Sequence, residues 1–265
     1  MKGSTIPVVM LFVTSSLVLA FAADKSDKQT GTGAPTAPGA AGENQARASA
    51  RSSADKRPAG TVPDAGQAGG EPQGIVQVGN LIYAGTKTSK CFSDHFLKRA
   101  ARDSAISTSG HLHAVKLAEN ELFSFPLVIM TGEGAFNLTD KERDNLRRFL
   151  ERGGMLLASA GCSSADWDRS FRREMSAVFP QQPMQPLSMD HPIFHTVYDI
   201  GELRAKHGQP KPLEGIRIEN RIAVLYSQDG LNDTSHAWGC CCCGGNEITN
   251  SIDVNVNILA YALTH

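Results

Sequence analysis

Phe125-Pro126-Leu127-Val128-Ile129-Met130-Thr131-Gly132, then Thr139-Asp140-Lys141-Glu142, then Gly153-Gly154-Met155-Leu156-Leu157-Ala158: this stretch decides the fold. Its first block is apolar at successive positions, so both faces are buried, as in a central parallel strand covered by helices on either side. Thr139 and Glu142 have the spacing of a capping box, in which each side chain satisfies a free amide of the other. Leu146, Phe149 and Leu150 give the following helix one apolar stripe. Gly153-Gly154 supplies a left-handed stop, and Met155 to Ala158 returns as a second buried strand. The segment is a βαβ unit.

Working outward, Ile75 to Tyr83 reads as a first strand and Ser93 to Arg102 as a first helix, with Phe92, Phe96 and Leu97 on one side. Leu112 to Leu117 is a short second strand. Ala165 to Phe179 is a helix whose Trp167, Phe171, Met175 and Val178 recur at helical spacing. Ile216 to Glu219 and Arg221 to Tyr226 flank Asn220 as a hairpin or paired strands, and Ser251 to Leu263 closes the chain as a helix. Strands alternating with helices predict an α/β fold, a three-layer sandwich around a mostly parallel sheet. In such sheets ligands sit at the carboxyl ends of the strands. Three loops qualify: 83–86, 131–136 and 159–164.

The rest of the chain is of a different kind. Residues 1–22 have a basic start at Lys2, an apolar core and small residues at Ala20 and Ala22, the pattern of a secretory signal. Between Ala23 and Pro72, Ala, Gly, Pro, Ser and Thr fill 33 of 50 positions and Val62 is the one large aliphatic, so this linker is expected to stay disordered. The folded domain is then 73–265. With 26 Lys+Arg against 27 Asp+Glu and a net charge of −1, a nucleic-acid partner held through phosphates is excluded. The expected location is periplasmic or extracellular. The alternative is a membrane-anchored chain with the domain outside the cytoplasm, and membrane contact is expected only if the first segment stays uncleaved.

The candidate chemistry lies in the loops. Cys162, in Ala160-Gly161-Cys162-Ser163-Ser164, sits on a strand-to-helix turn, the place where hydrolases expose a nucleophile and aim helix amides at an oxyanion. The plain alternative is a small buried thiol. His191 and His195 are the candidate bases, although Asp190-His191-Pro192 also reads as a turn. Gly132, Glu133, Gly134, Gly161 and Ser163 are candidate ligand contacts, because two consecutive buried strands deliver their loops to one place. Asp166, Asp168, Arg169, Arg172, Arg173 and Glu174 read as a charged helix face with ion pairs. His111 and His113 share a face of a strand without a third ligand. Of the six cysteines, Cys240 and Cys243 have C-x-x-C spacing and His236 could add a nitrogen; in an oxidising compartment a local disulfide ranks first, metal second and chance third, with Cys91 and Cys162 as partners for each other or for the run. No cofactor is expected.

Met130 to Phe136, Leu146 to Gly154, Ser170 to Glu174, Asp190 to His195 and Leu213 to Ile216, in that order and spacing, closely resemble the bacterial family called domain of unknown function 4159. The resemblance covers about Gly74 to Thr264. It implies a flavodoxin-like fold of the class I glutamine-amidotransferase-like superfamily, often on exported chains, and no settled activity. Family members commonly carry Gly-Asp-Trp where this chain has Gly85-Thr86-Lys87, and often His where Glu133 stands. The superfamily elbow, Gly-x-Cys-x-Gly, here has Ala160 and Ser164 at its glycine positions. Its acid, two residues after the catalytic His, is replaced by Ile193 or Val197. The reading that follows is an exported module binding a small ligand or a protein partner through an incomplete amidotransferase-like site. The alternatives are a thiol hydrolase or amidase using Cys162, and a metal-binding protein using the Cys240 to Cys243 run.

Overall fold

In the computed structural model, the structure describes residues 74–88, 90–240 and 245–265. The signal-like start, the linker, the domain start at Gln73 and Cys243 lie outside the described residues. The sheet has seven strands in the order β2-β1-β3-β4-β7-β6-β5. These are β1 (Val76–Ile82), β2 (Thr108–Lys116), β3 (Leu127–Gly132), β4 (Met155–Ala160), β5 (Gln185–Pro186), β6 (Glu214–Ile218) and β7 (Arg221–Ser227). The pairs β1–β2, β1–β3, β3–β4 and β4–β7 are parallel, whereas β6 joins β7, and β5 joins β6, antiparallel.

Successive residues of β3 and β4 are buried on opposite faces, as the unbroken apolar runs require. Val128, Met130, Leu156 and Ala158 pack under α2 (Asp140–Glu151) and α3 (Ala165–Val178). Leu127, Ile129, Met155 and Leu157 pack on the other face, under α1 (His95–Asp103) and α4 (Ser251–Thr264). The α/β sandwich is therefore present, with a pair of helices on each side. Trp167 and Phe171 stack at 5.1 Å between α3 and the sheet.

The sequence expectations differ from the structure chiefly at the edges. Strand β2 starts four residues before Leu112, because its first residues are polar and lie on an edge strand that needs no apolar face. Strand β5 is two exposed residues and carries no hydrophobic signal. The charged face of α3 is structural. Arg172 pairs with Asp168 at 2.7 Å and reaches both carboxylate oxygens of Glu214 on β6. Glu174, 1% exposed, takes Arg143 at 2.8 Å and Arg173 at 3.1 Å.

The capping box of α2 is formed as read. The Thr139 hydroxyl accepts from the Glu142 N–H at 3.3 Å, and Glu142 Oε2 accepts from the Thr139 N–H at 2.8 Å. Thr139→Ala is expected to lower stability by about 0.5–2 kcal/mol, measured as a shift of the urea midpoint at unchanged slope. No shift would place the helix start elsewhere.

Candidate functional site

The carboxyl ends of β3, β4 and β7 meet around one buried amide. Asn232, 2% exposed, stands in the loop after β7. Its Nδ2 donates to Thr131 Oγ1 on β3 at 2.9 Å, and its Oδ1 accepts from Ser159 Oγ on β4 at 2.5 Å. Ser159 Oγ in turn accepts from the Leu231 N–H at 2.7 Å. The Asn232 carbonyl accepts from the Ser93 N–H at 2.8 Å, tying in the loop before α1. Each partner would be a buried unsatisfied group without the others.

A second buried chain of bonds runs beside it. Trp167 Nε1 donates to the Tyr83 hydroxyl at 2.8 Å, which donates to the Thr131 carbonyl at 3.1 Å. This explains Gly132. A Cβ there would lie 2.4 Å from the Tyr83 hydroxyl and 3.0 Å from Trp167 Nε1. At Gly161 a Cβ would lie 2.9 Å from the Gly132 carbonyl oxygen. At both candidate contacts neighbouring residues pack directly against the glycine. Gly134 has φ 71°, and its N–H donates to Ser164 Oγ at 3.2 Å. Ser164 is also the N-cap of α3, accepting from the Trp167 N–H at 3.3 Å.

The elbow itself has the expected shape. Cys162 sits at φ 55°, ψ 26°, and Ser163 follows at φ 53°. Two successive non-glycine residues in the left-handed region are held only where the surroundings over-determine them. Here Ser163 Oγ donates to the Asp229 carbonyl at 3.2 Å and accepts from the Asn246 N–H at 2.8 Å. Gly245 lies directly over Cys162, where a Cβ would come within 2.5 Å of its carbonyl carbon. Cys162 Sγ lies 3.1 Å from Oε1 of the exposed Glu133. That sulfur is disulfide-bonded, so it has no proton to donate across this contact.

The histidines are not brought to the elbow. His191 caps a short turn by accepting from the Ile193 N–H at 3.2 Å. It lines a pocket with Asp190, Gly215, Arg217 and Ile222. That lining includes Ile222 at the start of β7 and no residue of the Cys162 elbow. Burial there, and the Arg217 charge, push the His191 imidazole below its ordinary pKa. His195 has both ring nitrogens occupied, by Asp199 at 2.5 Å and by the Met189 carbonyl at 2.8 Å. Those bonds to its charged form raise its pKa.

Cys240, the described member of the cysteine run, is not a free thiol. Cys240 is bonded to Cys91, 149 residues away in sequence and 4.9 Å away between Cα atoms. It is therefore unavailable as a thiolate ligand, and Cys243 lies outside the described residues. His236 Nδ1 instead lies 2.7 Å from Asp233 Oδ1. Sequence reasoning missed Asn232 and Asp233 in the loop after β7. The signal was the burial of β7 itself: read as half of a hairpin, it was not placed beside β4, so its carboxyl end was not counted.

A family model, that of the Domain of unknown function (DUF4159), matches residues 80–263, a span that contains the carboxyl ends of β3, β4 and β7. No curated protein matches the chain. Among the described residues no helix is long and apolar enough to cross a membrane.

Asn232→Ala removes one hydrogen-bond partner from each of two buried hydroxyls, Thr131 and Ser159, and is expected to cost about 2 kcal/mol or more, read from the urea midpoint. A neutral result would mean that water replaces the amide. Burial pushes the Tyr83 hydroxyl up to about 12, against an ordinary 10.0, its bond from Trp167 offsetting only part of this. The folded state therefore keeps a proton that the unfolded chain loses. Stability is expected to fall between about pH 10 and about 12, and Tyr83→Phe should reduce that slope in alkaline urea titrations.

Proposed function

We propose, from the premise that this chain belongs to the Domain of unknown function (DUF4159) family, that it is an exported binding module with its ligand site at the carboxyl ends of β3 and β4. The parallel strands run β2-β1-β3-β4-β7, with β7 as the fifth, which supports a flavodoxin-like, amidotransferase-like assignment. The Cys91–Cys240 disulfide supports an oxidising compartment, in keeping with the signal-like first 22 residues.

The observation that carries the reading is the pairing of Glu133 with the elbow. An exposed carboxylate stands against Cys162 on one side, and α3 opens with Ala165 and Asp166 on the other. The first amides of a helix have no intrahelical acceptor and present donors. A ligand that donates to a carboxylate and accepts from amides suits both walls, and a primary carboxamide does so with one group. Binding rather than hydrolysis is favoured because the sulfur is already bonded and both histidines are engaged elsewhere.

A second reading has its own support. The left-handed Cys162 beside Glu133, before a helix N-terminus, is also the setting of a nucleophile that reduction would release. One experiment separates the two. NMR titration of the oxidised chain with small primary amides is expected to shift Glu133, Gly134 and Ser163, with Glu133→Gln weakening the affinity about tenfold. Shifts confined to the turn around Asn220 would overturn the proposal. Hydrolysis appearing only after reduction and lost in Cys162→Ser would install the thiol enzyme instead.

A further inference from the structure

We propose that His95, Asp233 and His236 form a site for a divalent transition metal of the kind represented by Zn2+. Each residue offers one ligand atom, and these atoms lie within 4.8 Å of one another. The rings of His95 and His236 lie 4.5 Å apart between centroids, tilted at 44°. No thiolate is involved, which separates this site from the C-x-x-C reading of the sequence.

Two buried polar atoms point to an occupant. Asp233 is 8% exposed, and its Oδ2 is buried without a hydrogen-bond partner. His95 Nδ1 is likewise buried without a partner. The other carboxylate oxygen, Oδ1, takes His236 Nδ1 at 2.7 Å and Ser235 Oγ at 3.2 Å. An acceptor-only oxygen and a ring nitrogen left dry in one cluster cost free energy that a bound cation removes from both at once.

The ligands are also held in place before any ion arrives. The Cys91–Cys240 disulfide joins the two segments that carry the histidines, each cysteine standing four residues from its histidine. The Ser93 N–H bonds the Asn232 carbonyl at 2.8 Å, between those same segments. Glu247 accepts from the Thr234 N–H at 2.7 Å and from its hydroxyl at 2.6 Å, fixing the residue after Asp233. Asp233 itself sits at φ 51°, ψ 53°, a conformation that Asp tolerates better than most residues.

The donor set selects the metal. Calcium and magnesium prefer all-oxygen shells, whereas two imidazoles and one carboxylate suit Zn2+ and its neighbours. Three protein ligands leave a tetrahedral ion one position for water or an exogenous group. His111 and His113, with rings 4.4 Å apart on β2, belong to no such cluster among the described residues and serve as the internal control.

The test is Zn2+ titration of the untagged, oxidised full chain, first freed of metal, with Co2+ as a spectroscopic probe. One Zn2+ per chain is expected. Asp233→Asn, which keeps the left-handed preference, and His236→Ala, at a half-exposed ring, should each weaken binding at least about 100-fold. Both variants should keep the urea midpoint of the metal-free protein, and the His111→Ala/His113→Ala control should bind as the unaltered chain does. The Co2+ complex should lack the intense near-ultraviolet absorption of thiolate ligation. Absence of stoichiometric binding, binding unchanged in both variants, or a thiolate band would each overturn the proposal.

Discussion

The carboxyl edge of the sheet depends on the side chain of Asn232. A loop that crosses the ends of three parallel strands brings backbone and hydroxyl groups out of water, and each must find a partner. Asn232 meets that constraint from one position: it donates to Thr131, accepts from Ser159, and through its carbonyl receives Ser93. Ser159 then receives the Leu231 N–H, so the loop is fastened at two consecutive residues. Asn255 Nδ2, from α4, adds a bond to the Leu231 carbonyl at 2.9 Å. In a low-dielectric interior such a network is strong when complete and expensive when broken. The next residue is Asp233, so the precision of its carboxylate is inherited from this knot.

The strand-to-helix turn at Cys162 and the two candidate histidines stay apart in this fold. The elbow at Cys162 has the backbone of a nucleophile turn, and α3 follows it directly. The candidate bases are withdrawn by specific contacts. His195 is on a segment that α4 fastens: Asn257 Oδ1 accepts from the N–H groups of Val197 at 3.0 Å and Tyr198 at 2.8 Å. His191 is engaged in capping its own turn. What remains at the elbow is a carboxylate, a bonded sulfur and a helix start.

Much of the architecture was legible because its signals are local. The β3–α2–β4 unit announces itself through an apolar run, a capping box and a glycine pair, all within one stretch of chain, and each feature is present in the structure. The site was less legible, for two reasons. Parallel pairing of β7 with β4 joins segments far apart in sequence, and nothing in Arg221 to Ser227 declares its neighbour. Glycines in loops were also ambiguous. Gly132 and Gly161 look like openings for a ligand, yet the space beside them is filled by Tyr83, Trp167 and the preceding loop. In sequence His236 stands near the cysteines, whereas the turn at Asp233 brings it to a carboxylate and to His95.

If Asn232 fastens the strand ends, the loop after β7 cannot open without breaking the core. Native-state amide hydrogen exchange measures this directly. The Leu231 and Ser93 N–H groups, bonded to Ser159 and Asn232, should be protected as strongly as the amides of β4, exchanging only in global unfolding. Exchange of both at the rates of exposed loops, while β4 stays protected, would contradict the account.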